Sequence, residues 1–395
     1  MNGKIDNYLQ EILPELISLR RKIHRNPEIS NYEIETSNFI QKKLLENGIE
    51  AEKIDSSTNV TALIKGSEPG KTVAYRADID ALPIEEKTGL SFSSKNENIM
   101  HACGHDIHAT VLYGTALTLN KFKDNLKGNI RIIFQSGEEN FTGAKEVITS
   151  GVLENPKIDY ILAMHTWPDL PVGTIGLKKG SMMASSSNIN FKITGKGGHA
   201  AHPHRGIDPV VASSYIITSI QSIVARNIAP IDSAVISFGK LIAGNTSNII
   251  PNSASAEGTV RTLSSEVDKY IEEKIKSLIK YQAESFGAVA DVKYENIAPP
   301  VINDSHIIDI LRKNSSNSIG QENIRWLNTP SMGSEDFAFY LNKAPGALIR
   351  LGTHNDTEDS KLPLHNSEII FDEKSIEIGV KFMSNSIISI LNKSK

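Results

Sequence analysis

The hydrophobic pattern of the first 180 residues alternates between helical and strand-like spacing. Apolar residues about one helical turn apart predict a long helix over residues 3–25, with a kink at Pro14. Short runs of apolar and β-branched residues, separated by further helical patterns, predict buried strands. In order, these elements are helix 33–47, strands 60–64 and 72–76, helix 106–122, strand 129–135, helix 143–150 and strand 159–165. Such alternation is typical of an α/β fold with a mainly parallel sheet.

The pattern changes near residue 184, where strands of alternating polarity begin. We expect strand 187–193, helix 209–223, strands 234–238 and 254–263, amphipathic helix 265–285 and strand 288–294. This order predicts a smaller α+β domain with an antiparallel sheet, and residues 295–300 predict the linker that leaves it. We therefore predict a catalytic domain formed by residues 1–183 and 297–395, interrupted by a lid domain at 184–296.

Composition and net charge exclude several classes of function. Of the 395 residues, 39% are hydrophobic and 22% are charged, as in soluble globular proteins of two domains. The 42 basic and 46 acidic residues leave a net charge of −4, which gives no electrostatic reason to expect binding to nucleic acid or to a membrane. No apolar run reaches the roughly 18 residues of a membrane-spanning helix, and the first residues do not predict a signal peptide. A single cysteine favours the reducing cytoplasm.

That single cysteine stands two residues before a histidine, in the segment Cys103-Gly104-His105. Thiolate, imidazole and carboxylate groups hold first-row transition metals, and the intervening glycine allows a tight turn between two ligands. The spacing differs from that of zinc fingers. The mixture of ligand types fits two divalent ions, zinc or manganese, with cobalt or nickel as further candidates. The predicted metal ligands are Cys103, His105, Glu139, His165 and His365.

Two adjacent glutamates, Glu138 and Glu139, follow a predicted strand and a glycine rather than lying on a charged helix face. Neighbouring side chains on an extended segment point in different directions. One carboxylate can then bind metal while the other exchanges a proton with the attacking water and the leaving nitrogen. We assign Glu139 to the metal site and Glu138 to acid–base catalysis. A solvated surface pair is the alternative interpretation.

The predicted lid contains polar candidates for substrate binding. His199 lies in a glycine-rich segment with His202 and His204, where no carboxylate or thiol stands at ligand spacing. We therefore favour donation to a substrate oxygen over a further metal site. Arg261 suits a substrate carboxylate, which an arginine binds through two hydrogen bonds. For Arg261 and for Asn248, an exposed polar residue without a function is the competing interpretation.

Taken together, these motifs resemble the M20 metallopeptidases, and within them the amidohydrolase subfamily. That subfamily includes hippurate hydrolases, plant indole-acetyl-amino-acid hydrolases, aminoacylases and N-acetyldiaminopimelate deacetylases. The resemblance extends over nearly the whole chain. It rests on residues 20–28 and 76–84, the cysteine segment, the glutamate pair, the His199 segment, and residues 333–337 and 363–366.

The resemblance implies a di-metal catalytic domain interrupted by a smaller lid that often dimerises, so we expect a homodimer. It implies the five metal ligands given above and Glu138 as the general base. His199 matches the lid histidine that polarises the scissile carbonyl, in many relatives from the partner subunit. Asn248 and Arg261 match lid positions that hold the amide and carboxylate side of the substrate.

One departure from the wider family concerns Arg76, which stands where many members have a metal-binding histidine. The resemblance implies that Cys103 supplies the replacement ligand, as it does in the amidohydrolase subfamily. Asp78 is then expected to support the ligands without binding metal itself.

The expected reaction is metal-dependent hydrolysis of an N-acyl amino acid to a carboxylate and a free amino acid. A dipeptidase or aminopeptidase of the same fold is the alternative enzyme. A non-catalytic metal-binding scaffold is an alternative of another class, although such a protein would need neither Glu138 nor His199. The acyl group, the amino acid, the native metal and the bridging ligand stay open at this stage, as does the choice between His199 of the same chain and of the partner. Four further roles also stay open, those of His202, His204, Glu335 and Asp336.

Overall fold

The computed structural model describes residues 2–55 and 57–392, which form two compact units. The first unit contains the chain up to Gly180, residues Ile302–Asn328 and the chain from Asp336 onward. The second unit contains Ser181–Val301 and Thr329–Glu335. In the described part of the chain, every helix is too short or too polar to span a lipid bilayer.

The helices alternate with strands along the first unit. The α-helices are α1 Asn2–Arg25, α2 Ile34–Glu46, α3 His105–Lys121, α4 Gly143–Thr149, α5 Pro209–Asn227, α6 Ser265–Ser285, α7 Ser305–Ser318, α8 Ala338–Leu341 and α9 Lys374–Asn392. Single 3-10 turns occupy Lys123–Asn125, Pro203–Arg205, Gln321–Asn323 and Glu358–Lys361.

Most of the strands belong to two main sheets. In chain order, the strands are β1 Ala51–Lys53, β2 Val60–Lys65, β3 Glu68–Asp78, β4 Lys127–Gln135, β5 Tyr160–Pro171, β6 Ile175–Leu177, β7 Gly180–Met183, β8 Ser186–Thr194, β9 Gly198–His199, β10 Ala234–Ala243, β11 Ile249–Ile250, β12 Ser253–Thr262, β13 Val289–Ala298, β14 Val301–Asn303, β15 Ile324–Trp326 and β16 Gly346–His354. Two pairs, β9 with β11 and β7 with β14, form separate ribbons.

The sheet of the first unit has eight strands in the order β1-β2-β4-β3-β5-β16-β6-β15. Strands β4, β3, β5 and β16 at its centre run parallel to one another, so their carboxyl ends meet at one edge. The pairs β1–β2, β2–β4 and β6–β16 are antiparallel. Ligands of such sheets bind beyond the carboxyl ends of the strands, and this edge is where the predicted metal ligands lie.

Helices α1, α3 and α9 pack together in the large hydrophobic core of the first unit. Gly114 of α3 allows their close approach, because a Cβ atom there would lie 2.7 Å from Val380 of α9 and 2.8 Å from Leu16 of α1. Helix α3 is buried along nearly its whole length. Its first turn, which carries part of the site, is therefore fixed by the core.

The second unit has a four-stranded antiparallel sheet in the order β10-β12-β8-β13, with α5 and α6 packed on it. Its core is rich in isoleucine from both helices. Asp208 caps α5 by accepting a hydrogen bond from the Val210 amide at 2.8 Å, and Pro209 occupies the first helical turn. Strands β9 and β11 form a separate two-stranded ribbon.

The predicted α/β fold class, with a mainly parallel sheet and a separate antiparallel one, is confirmed. One local prediction was wrong, because residues 295–298 do not form a linker but continue β13 and pair with β8. Their register along β8 stabilises an extended backbone up to Ala298, so the proline pair that follows marks the strand end rather than a loop. Residues 329–335, which the sequence analysis assigned to the catalytic domain, belong to the second compact unit.

Candidate active site

The predicted metal ligands lie at or just beyond the carboxyl edge of the first sheet. Cys103 directly precedes Gly104, the residue before α3, and His105 is the first residue of that helix. Glu139 follows β4, His165 lies in β5, and His365 follows β16. The fold thus brings together five side chains from segments that are up to 262 residues apart in the sequence.

Donor atoms of these residues form compact sets within 4.8 Å of one another. The three sets are Cys103–His105–His165, Cys103–Glu139–His365 and His105–Glu138–Glu139. In the first, Cys103 Sγ lies 3.5 Å from His165 Nε2, and in the second, His365 Nε2 lies 3.5 Å from Glu139 Oε1. His105 Nε2 lies 3.9 Å from the same Glu139 oxygen and so connects the first two sets.

The buried polar atoms of this cluster fit a metal centre. His105 Nε2 and Glu139 Oε1 are both buried, and neither has a hydrogen-bond partner. Burial raises the pKa of Glu139 to about 7 and the pKa of the Cys103 thiol well above its ordinary value. Divalent cations would satisfy the unpartnered atoms and stabilise the thiolate and carboxylate forms. The types of donor atom and the two unpartnered atoms therefore both fit a site for divalent cations.

The backbone around the ligands is held in uncommon conformations. Gly104 has φ of +81°, and a Cβ atom there would lie 2.6 Å from Thr166 Oγ1, so only glycine fits between the two ligands. His365 has φ of +67°, which is rare for a non-glycine residue. Its amide donates to the Ala102 carbonyl at 3.1 Å. This bond ties the last predicted ligand to the cysteine segment.

Hydrogen bonds at the far ring nitrogens fix two of the histidines. His105 Nδ1 donates towards Asp80, with 3.0 Å to the backbone oxygen and 3.1 Å to Oδ1. His165 Nδ1 donates to the Thr166 carbonyl at 2.7 Å. Both Nε2 atoms are thereby left as acceptors that face the other donors, which is the usual arrangement of metal-binding histidines.

Asp80 is a site residue that the sequence analysis did not single out. Its other oxygen accepts from Ser30 Oγ at 2.7 Å and from the Glu139 amide at 3.0 Å, so it contacts both a ligand histidine and the glutamate segment. The signal was present in Asp78-Ile79-Asp80, since alternate residues on extended backbone share a face. The pattern indicates a site residue only once the structure shows that His105 lies within hydrogen-bond distance of Asp80.

Asp78, predicted to support the ligands, lies 2.5 Å from His108 Nδ1 and 3.8 Å from His105 Nε2. His108, which the sequence analysis did not select, accepts from the Thr166 amide at Nε2 over 2.7 Å. Although burial alone would raise the pKa of Asp78, His105, His108 and Arg76 hold it well below its usual range. Asp78 is thus a fixed anion beside the predicted ligand His105.

The predicted general base, Glu138, is 5% exposed, and its Oε1 accepts from the Asp336 amide at 3.3 Å. Asp336 is in turn bound by Arg76 at 2.6 Å and by Gln135 at 2.7 Å. Arg76 also donates to Asp78 at 2.7 Å. One buried guanidinium therefore connects the segment that holds Glu138 with the carboxylate that holds His108.

We expect Arg76→Met to lower the free energy of unfolding by about 3–5 kcal/mol, because it leaves two carboxylates buried without their cation. Arg76→Lys retains the charge but not the forked geometry, so its loss should be smaller. Urea denaturation of the metal-free variants measures both. Lys240→Met, which breaks an exposed pair with Glu257, should change stability by less than about 1 kcal/mol. Wild-type stability of Arg76→Met would contradict this role.

A second buried carboxyl, Glu33, holds the turn before the glutamate pair. Its Oε1 accepts from the Gly137 amide at 2.9 Å, and its Oε2 accepts from Thr58 Oγ1 at 2.8 Å. The Ser136 amide donates to Asn59 Oδ1 at 2.8 Å. Two successive amides of the segment leading to Glu138 are thus fixed by side chains from another part of the chain.

Burial, aided by the charge of Asp80, raises the pKa of Glu33 from 4.5 to about 7. The folded state binds the Glu33 proton more tightly than the unfolded state does. The contribution of protonated Glu33 to the free energy of unfolding is therefore fully present below about pH 4.5 and is lost as pH rises through 7. Glutamine cannot ionise, so Glu33→Gln removes this loss at high pH. The change that it makes in the free energy of unfolding of the metal-free protein should be more favourable at pH 8 than at pH 4.5, by about 2 kcal/mol. Urea midpoints at the two pH values measure this difference. An equal effect at both values would refute the protonation assignment.

The remaining predicted residues lie in the second unit. His199 is exposed in β9 and pairs with Ile249 of β11, and the Ala200 amide donates to the Asn248 carbonyl at 3.0 Å. His199 and Asn248 therefore share one ribbon. Arg261 is half-buried in β12 and donates to Ser334 Oγ. The rings of His199 and His202 lie 5.7 Å apart, and those of His202 and His204 lie 6.0 Å apart.

Residues 74–389 match the model of peptidase family M20/M25/M40. The chain belongs to this family. It is 40% identical over 98% of its length to N-acetyl-L-cysteine deacetylase of Bacillus subtilis, covering 91% of that protein. It is 37% identical over 99% of its length to thermostable carboxypeptidase 1 of Saccharolobus solfataricus, covering 99% of it.

A solved structure from Bacillus subtilis, described as a dinuclear metal-binding peptidase of the M20 family, aligns with a TM-score of 0.85. The two chains are 35% identical, and the alignment covers 98% of this chain and 100% of the other. The predicted family membership is confirmed, and so is the prediction of a metal-dependent amide hydrolase. The roles of individual residues stay predictions.

Proposed function

We propose that this enzyme hydrolyses N-acyl amino acids to a carboxylate and a free amino acid, with Glu138 as the general acid–base. The observation that carries the proposal is the placement of Glu138, a buried carboxylate, in a donor set with His105 and Glu139. The similarity to a deacetylase of N-acetyl-L-cysteine and to a carboxypeptidase supports the substrate class. Both names imply an acylated amino acid with a free carboxylate.

Two divalent ions would be held by Cys103, His105, Glu139, His165 and His365. When bound, they would supply positive charge that polarises the amide carbonyl and the attacking water. The thiolate favours zinc, while the carboxylate and imidazole groups also suit manganese, and cobalt or nickel fit the same donors. Asp80 and Asp78 orient His105 and His108 and carry no direct role in bond making.

In the proposed reaction, Glu138 takes a proton from the attacking water and passes it to the nitrogen of the leaving amino acid. The Asp336 amide, at 3.3 Å, fixes the Glu138 carboxylate. Glu33 and Asn59, whose side-chain oxygens accept from the Gly137 and Ser136 amides, fix the turn that precedes it. This support keeps the base in one rotamer, which proton transfer over hydrogen-bond distance requires.

The second unit is proposed to bind the rest of the substrate. His199 would donate to the carbonyl oxygen as negative charge develops there, Asn248 would bind the amide side, and Arg261 would bind the amino-acid carboxylate. Burial lowers the pKa of Arg261 from its ordinary value. Because the ordinary pKa of arginine is so high, the side chain is still charged at neutral pH.

We further propose a cytoplasmic homodimer in which residues 184–296 serve as lid and dimerisation domain. Residues 1–183 and 297–395, without residues 329–335 of the second unit, would form the catalytic domain. The single cysteine, which must stay reduced to bind metal, supports a reducing compartment. His199 could then act in its own chain or in the partner.

The test is release of free amine from N-acyl amino acids and from dipeptides by protein that has been stripped of metal and then reloaded separately with zinc, manganese, cobalt or nickel. The proposal expects metal-dependent cleavage of N-acyl amino acids. Cleavage of dipeptides alone would favour the peptidase alternative. Absence of turnover with bound metal would favour the scaffold alternative.

A further inference from the structure

Arg350 is a buried arginine that the mechanism above does not use. It lies in β16 directly opposite His165 of β5 and is 3% exposed. Paired residues on neighbouring strands share a face, so Arg350 lies on the face of the sheet that carries the predicted ligand His165. The Cβ atoms here are packed closely, since a Cβ atom on Gly176 of the next strand would lie 3.1 Å from that of Arg350.

The guanidinium of Arg350 has no counter-ion in contact with it. Among the described residues, none forms a hydrogen bond or an ion pair with it, and the acidic group acting on it, the exposed Asp169, does so only at longer range. Its nitrogens are nevertheless not sealed from solvent. Burial lowers its pKa to about 9, so it stays charged at neutral pH. A buried cation that lacks an anion is costly to retain without a function.

The neighbour of Arg350 is an aromatic ring beside the metal cluster. Its Cζ lies 3.1 Å from the centroid of the Trp167 ring. The Trp167 and His165 rings lie 6.5 Å apart, and they are two residues apart on one face of β5. The guanidinium therefore contacts Trp167, and the Trp167 ring lies beside the ring of the predicted ligand His165. At 3.1 Å from the ring centroid, the guanidinium lies over the face of the indole, and no described residue accepts a hydrogen bond from its N–H groups.

We propose that Arg350 and Trp167 form a carboxylate-binding subsite for the acyl group of the substrate. The preferred acyl groups would then be dicarboxylic, such as succinyl or glutaryl, with their far carboxylate on Arg350. This rests on the proposed function, which assigns the amino-acid carboxylate to Arg261 in the second unit and so leaves the acyl group to the first. Hydrolysis breaks the same amide bond, with the water oxygen joining the acyl carbon and a proton joining the leaving nitrogen.

The experiment compares kcat/KM for N-acetyl-, N-pentanoyl- and N-succinyl-L-alanine, using metal-loaded full-length protein. N-pentanoyl matches the length of the succinyl group without its charge. Wild type should cleave the succinyl substrate better than the pentanoyl one. Arg350→Met should lower kcat/KM for the succinyl substrate by about 10- to 100-fold, the effect of losing hydrogen bonds to a charged group. The N-acetyl substrate has no far carboxylate for Arg350 to bind, so its kcat/KM should change less than about threefold.

Two further variants keep the result interpretable. Arg350→Lys keeps the charge without the fork and should fall between wild type and Arg350→Met on the succinyl substrate. Arg312→Met removes another arginine stacked on a tryptophan, Trp326, at 5.5 Å. This control should leave every ratio unchanged. Metal content and thermal melting are recorded for each protein.

The outcomes separate the inference from the proposed function. Equal losses on all three substrates would assign Arg350 a structural role and overturn the inference. A loss confined to the N-acetyl and N-pentanoyl substrates, or a wild type that prefers pentanoyl to succinyl, would overturn the acyl-side assignment. In each of these cases the proposed function stands. Only failure of the wild type on every N-acyl amino acid would remove the proposed function itself.

Discussion

Replacing Glu138 with glutamine is expected to lower kcat by about 10²- to 10⁴-fold, the range of a lost general acid–base. Glutamine matches glutamate in size and can still accept from the Asp336 amide, so the fold and the metal site should survive. It cannot take a proton from water at neutral pH. Steady-state kinetics of amine release, on protein with its metal content measured, gives the loss.

The matched control for this variant is Glu154→Gln, which makes the same chemical change at an exposed position. Its kcat should equal that of wild type. Glu138→Gln that binds metal and retains more than about a tenth of the wild-type rate would contradict the assignment, since a general acid–base typically contributes about 10²- to 10⁴-fold.

Replacing Cys103 with serine is expected to cost at least about 100-fold in activity and much of the bound metal, because the ligand set loses its soft donor. Cys103 Sγ belongs to two of the donor sets, one with His165 and one with His365. Both metal positions should therefore weaken. Metal analysis after dialysis against equal metal concentrations, together with kinetics, measures the two losses.

Chelator-treated wild type provides the reference for this variant. It should lose activity and melt at a lower temperature, because the folded state loses a ligand that the unfolded state does not bind as tightly. Added metal should restore both properties in wild type but not in Cys103→Ser. Full metal content and activity in Cys103→Ser would exclude the thiolate from the site.

The sequence singles out residues that the fold brings together, because metal chemistry needs rare residue types at particular places. A lone cysteine beside a histidine, and two glutamates directly after a buried strand, are informative without coordinates. The carboxyl-edge rule for parallel strands then predicts that Glu139 and His165 approach each other. The structure places His165 in a set with Cys103 and His105, and Glu139 in a set with Cys103 and His365, with the donor atoms of each set within 4.8 Å of one another.

The residues that support the ligands could not be recognised in the same way. Asp80, His108 and Glu33 act through hydrogen bonds, among them bonds to His105, Asp78 and Gly137, which lie 25 to 104 residues away in the chain. Nothing in their local sequence specifies those partners. Arg350 is the clearest example of a contact that the sequence does not predict. An arginine in an apolar strand pattern gives no sign that its guanidinium packs on a tryptophan of the adjacent strand.

The strand boundaries show a similar division. Strand 129–135 was predicted closely because its apolar run is bounded by polar residues, and β4 spans Lys127–Gln135. Strand β5 continues to Pro171, well past the predicted end at His165, because pairing with β16 extends over residues of mixed polarity. Tertiary pairing overrides the local pattern there.

The most direct test of the account is a titration of metal-stripped protein with zinc or manganese while amine release from an N-acetyl amino acid is followed. The account predicts negligible turnover without metal, a rise with added ion, and a plateau near two equivalents per chain. Full turnover of protein that analysis shows to be metal-free, or no turnover with two ions bound, would contradict it.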